Sequence, residues 1–151
     1  LLGTGADAYD AARPLLAHPH LSVRGRLVAL LAARPDDYLA RVQADWRDTA
    51  LPRRVRRTLY QVLVRTEKAR PSEQDLWRID DDLRSEDPGL RADAVRLLRE
   101  WGEREDLEPT EAIQLRLGDL ARILQSETDP FVRAELRSDR GGQGAKEYGR
   151  R

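Results

Sequence analysis

Cysteine and methionine are absent from the 151 residues, and phenylalanine occurs once, at Phe131. Without cysteine there are no disulfides and no thiolate metal sites. The two histidines, His18 and His20, flank Pro19 and are too few for zinc, which takes three or four ligands. β-Branched residues are sparse, which argues against sheets. No apolar run reaches the roughly 18 residues a membrane span needs. The start, Leu-Leu-Gly-Thr-Gly-Ala, has neither an initiator Met nor the charged flank and apolar core of a signal peptide. A segment of a longer cytoplasmic protein is therefore expected. Lysine is almost missing too (Lys68 and Lys146), so arginine carries the positive charge. An Arg- and Ala-rich bias of this kind fits a GC-rich bacterial genome and lowers the functional weight of any single arginine.

What remains is helix-forming: Ala, Leu, Arg and Glu dominate. With 40% apolar and 36% charged residues, the chain has material for a modest core under a highly charged surface. An all-α fold is expected. Net charge is zero but polarised: residues 1–70 carry an excess of six positive charges, 71–135 an excess of nine negative, and the last sixteen an excess of three positive.

The strongest pattern is Leu90, Ala94, Leu97, Leu98 and Trp101, an amphipathic stripe opened by Pro88 and Gly89 and followed by Gly102 in the position of a helix C-cap. Weaker versions lie on both sides. Ala8, Ala12 and Leu15 or Leu16 mark a first helix that Pro14 kinks or delays. Val23, Leu27, Leu30 and Leu31 mark a second. Pro35 breaks the chain, with Asp36 or Asp37 as cap, before Leu39, Val42 and Trp46. Val55, Leu59, Val62 and Leu63 follow Pro52. Ser72 and Asp75 resemble a capping box ahead of Leu76, Ile79 and Leu83, with Asp in the place usual for Glu or Gln. After a solvated acidic connector at 103–109, Thr110 caps a helix with Ile113, Leu117, Leu120 and Leu124 inward. Val132 and Leu136 anchor the last helix. Residues 138–151 have the composition of a flexible tail.

The second helix of each pair repeats a proline followed by an apolar residue and arginine: Arg24, Arg56, Arg91 and Arg133, separated by 32, 35 and 42 residues. Such periods belong to helical-hairpin solenoids. Asp87-Pro88-Gly89-Leu90-Arg91 and Asp129-Pro130-Phe131-Val132-Arg133 resemble the HEAT-repeat family in full, while the first two units lack the Asp and carry extra residues. The resemblance implies about four hairpins in a right-handed α-solenoid over residues 1–137, with units near 6–34, 35–68, 71–102 and 109–137. It further implies a ladder in which each repeated arginine meets the next unit's Asp.

Arg53, Arg54, Arg56 and Arg57 crowd a helix start, where the dipole already favours anions. With Arg24 they are the expected partner-binding residues. Asp80, Asp81 and Asp82 point in different directions around a helix and read as a solvated face rather than a cation site. Trp46, Trp77 and Trp101 read as packing residues. Trp46 between Asp45 and Arg47 also resembles the groove residues of HEAT-like DNA glycosylases, though no further motif ties it to them. Gly3-Thr4-Gly5 follows no strand and is no dinucleotide loop; Gly141, Gly142 and Gly144 read as linker. The leading expectation is a non-catalytic scaffold that binds a protein partner and needs no cofactor. The alternatives are a nucleic-acid-binding solenoid and, further off, a glycosylase.

Overall fold

The computed structural model describes residues 5–67, 69–104 and 110–137. They form eight α-helices and one short 3-10 helix, with no strand among the described residues. The chain divides into two compact units, Leu1–Ala69 and Arg70–Arg151. The expected tail, the glycine linker, Gly3-Thr4, most of the acidic connector and the Leu124 side chain lie outside the described residues.

In the first unit α1 (Gly5–Ala12) gives way to a 3-10 turn (Arg13–Ala17), then α2 (Leu21–Ala33), α3 (Pro35–Arg47) and α4 (Arg53–Arg65). Pro14 lies at the start of the 3-10 turn, which is why α1 stops short of it. Pro35 opens α3 rather than merely stopping α2: it occupies the first turn, where its missing N–H costs nothing. Arg34, not Asp36 or Asp37, takes the N-cap position without a side-chain cap, and the two aspartates face the positive end of the helix dipole. Trp46 is fully buried, its ring edge-on to Tyr60 at 5.4 Å and 83°. Leu30, expected inward, is 41% exposed and Val28 takes the buried place; of the alternatives Leu15 and Leu16, Leu16 is the buried one. The buried Thr58 hydroxyl, with one proton to give, lies 3.0 Å from the Leu16 carbonyl and 2.8 Å from that of Arg54, so α4 is fixed against the 3-10 turn.

The second unit comprises α5 (Glu73–Leu83), α6 (Pro88–Gly102), α7 (Thr110–Ser126) and α8 (Pro130–Arg137). The capping box forms: Ser72 Oγ accepts from the Asp75 N–H at 3.2 Å, and Asp75 Oδ2 accepts from the Ser72 N–H at 2.9 Å. Thr110 opens α7 as its first helical residue, one place inside the cap position. α6 packs against α5, α7 and α8 and is the centre of the unit. Its expected stripe is buried throughout, and Ala92, Asp93 and Val95 are buried as well, because three neighbours cover more than one face.

Gly102 is no left-handed cap. It ends α6 inside the helix, and a Cβ there would stand 2.4 Å from Leu117 Cδ1, so glycine is what lets α7 approach. Gly25 and Gly118 face open space. Gly25→Ala and Gly118→Ala should therefore each stabilise their unit by about 0.5–1 kcal/mol in urea titrations, through helix propensity alone. Gly102→Ala should lose that gain, because Leu117 must move.

Candidate functional site

The four repeated arginines share one place. Each lies four residues after the helix N-cap, its N–H bonded to the carbonyl of His20, Pro52, Asp87 or Asp129. From there the guanidinium folds back over the preceding loop: Arg24 donates to the His18 carbonyl, Arg91 to Ser85 (2.8 Å) and Arg133 to Glu127 (2.8 Å). The same three loop residues accept, through their side chains, the N–H two positions on. His18 Nδ1 takes it from His20 at 3.1 Å, Ser85 Oγ from Asp87 at 3.1 Å, and Glu127 Oε2 from Asp129 at 2.9 Å. The loop before α4 cannot close this way, since Ala50 has no side-chain acceptor and Pro52 no N–H. Asp87 and Asp129 cap their helices, accepting at 2.8–3.4 Å from Gly89 and Leu90 and at 2.9–3.2 Å from Phe131 and Val132. The expected ladder acceptor of Arg91, Asp129, uses its Oδ1 on its own helix start. Arg91 instead forks onto Glu127, with Nε and Nη2 each 2.9 Å from a carboxylate oxygen.

In the first unit α1 meets α3 through Asp45. It accepts from the Tyr9 hydroxyl at 2.6 Å and from Arg13 at 3.0 and 3.1 Å. Arg41 pairs with Asp10 and lies 5.1 Å over the Tyr9 ring. Burial, with the Asp45 hydrogen bond and charge, pushes the Tyr9 phenol far above its ordinary range. Asp45 is therefore occupied on both oxygens, and the fully buried Trp46 lines no groove.

The expected basic cluster does not share one face. Arg53 and Arg54 are exposed and Arg57 half-buried, whereas Arg56 is 9% exposed. Arg54 donates to the Ala17 carbonyl at 3.3 Å, and Arg24 spends its guanidinium on its own loop. The aspartate run also divides: Asp82 is buried, Asp80 forks onto Arg116 at 2.9 and 3.0 Å, and only Asp81 is largely exposed. Trp101 is buried as expected, but Trp77 is 55% exposed.

A cleft of about 520 Å³ opens in the second unit between α5, α7 and the loops that follow them. Its charged lining is Asp80, Arg84, Arg91, Arg116, Asp119, Arg122 and Glu127, with Leu83 and Ile123 as the apolar part. Burial would raise the Glu127 carboxyl, but the Arg91 hydrogen bonds and the N–H groups of Asp129 and Thr128 outweigh it and hold the group below its ordinary range. Of these charged residues the sequence singles out only Arg91, as a repeated arginine, and Asp80, in the aspartate run. The available signal was opposite charge at a shared separation: Asp80 to Arg116 and Arg91 to Glu127 are both 36 residues.

Among the described residues no group of three or more His, Cys, Asp or Glu is placed to hold a metal, and no helix is long and apolar enough to cross a membrane. No protein-family model, curated protein or solved structure matches the chain.

Proposed function

We propose that the chain is a non-catalytic, cytoplasmic binding module of the HEAT-repeat type, an α-solenoid of about four helical hairpins that holds a protein partner. The observation that supports this reading most directly is the recurring loop: three hairpins place an arginine four residues past the N-cap, return it to the carbonyl six residues back, and close the turn with a side-chain acceptor. Repeated units of this kind bury their apolar faces only against neighbours, and the surfaces left over are extended and suited to partners. The nucleic-acid reading has less behind it, since Arg24 is spent on its own loop and Arg56 is only 9% exposed. The glycosylase reading loses Trp46 as a groove residue.

Affinity capture with the chain, from lysate of its own cells, should retain a protein that then saturates a single site by calorimetry in purified form. Retention of nucleic acid alone, released steeply as salt rises, would overturn the reading.

A further inference from the structure

We infer that the cleft between α5 and α7 holds an extended, carboxylate-bearing segment of a partner protein, with Arg84 and Arg122 receiving its carboxylates. This deepens the binding-module reading and rests on it. The four guanidiniums of the cleft are of two kinds. Arg116 and Arg91 are held in two-bond forks by Asp80 and Glu127, and turning either toward a ligand breaks its fork. Arg84 is exposed and its side chain has no partner among the described residues. Arg122 has only a 3.4 Å contact with Asp119 on its own helix, with the two side chains 76% and 51% exposed; such surface pairs hold a side chain weakly.

Two uncommitted planar donors in one cleft suit carboxylate or phosphate. The rest of the lining decides between them. Four arginines against three carboxylates leave a net charge of +1. A phosphate near −2 doubles its attraction to the arginines as well as its repulsion from Asp80, Asp119 and Glu127, so charge does not separate the two ligands and the apolar part of the lining does. Leu83 and Ile123, both half-buried, offer an apolar floor to the side chain beside the carboxylate. A free anion or a nucleic-acid backbone has nothing to place there.

The test uses fluorescence anisotropy with the full chain at low salt and a labelled, capped peptide of alternating glutamate and leucine. Binding should fall about tenfold to hundredfold when glutamine replaces glutamate in the peptide, and by a similar factor in the chain carrying Arg84→Ala and Arg122→Ala. Both arginines are exposed, so this variant should keep its circular dichroism spectrum. The inference is overturned if the two peptides bind alike, if neither binds, if the variant binds as well as the parent, or if inorganic phosphate displaces the peptide at equal concentration. It is also overturned if sedimentation shows self-association that the double variant abolishes, since the occupant is then a second copy. A partner captured equally by parent and variant defeats the cleft assignment and leaves the module reading standing. Capture of no protein defeats the module reading itself.

Discussion

Trp46→Ala should remove about 3–5 kcal/mol from the stability of the first unit, the range for deleting a buried indole and leaving the space. The ring is fully buried on α3 and meets Tyr60 of α4 edge-on, so the substitution empties the α3–α4 seam and removes an aromatic pair with it. Small domains are stable by only about 5–15 kcal/mol, so the loss should show as a large fall in the urea midpoint. Trp77→Ala provides the contrast. That ring is 55% exposed, and its removal should change stability by no more than about 0.5 kcal/mol. Equal costs at the two positions would contradict the burial of Trp46.

Glu127→Gln should be the most damaging single-atom-scale change in the second unit, at about 2–3 kcal/mol. Its carboxylate makes both bonds of the Arg91 fork and accepts the Asp129 N–H. The side chains of Arg91 and Glu127 are 19% and 6% exposed. The amide therefore leaves a mostly buried guanidinium without its counter-charge, where removing one partner costs far more than the pair contributes. The effect should depend on pH. The folded state holds the Glu127 carboxyl below its ordinary value of 4.5, so in acid the unfolded chain takes up the proton first. The stability from this group is complete above that ordinary value and is lost as pH falls through the lower folded value. Urea titrations between neutral and acid pH, with amide exchange read in α6, should show a shallower acid loss for Glu127→Gln than for the parent. Parallel pH profiles would exclude the fork as its source.

The helices were legible because their signals are local. The α6 stripe, the Ser72 box and the anchors Val132 and Leu136 all follow from spacing and capping chemistry within one turn or two. Errors came where a residue's role is set by a neighbouring helix. Gly102 reads as a cap until α7 brings Leu117 against it, and Asp36 reads as a cap until Pro35 proves compatible with the first turn. Proline marked the starts of these helices imperfectly. Pro88 and Pro130 lie inside their helices, whereas Pro52 is the cap itself and Pro19 precedes it; the N-cap is the better register. For the site, density of charge was the visible feature and commitment of charge the invisible one. Arg53 to Arg57 stand out as a run, yet Arg84 and Arg122 sit in the cleft unremarked, because only the fold reveals that Arg91 and Arg116 are already engaged.

The turn ahead of α2, α6 and α8 is closed by an imidazole, a hydroxyl and a carboxylate in turn. What the bend demands at that point is a lone pair at the right reach, not a residue type. Each of the three chemistries can therefore close the corner, and only at Glu127 does the closing group also carry the fork to Arg91. The same corner can carry a neutral group in one hairpin and a charged one in another, so that a hairpin acquires a salt bridge to its neighbour without any change of backbone.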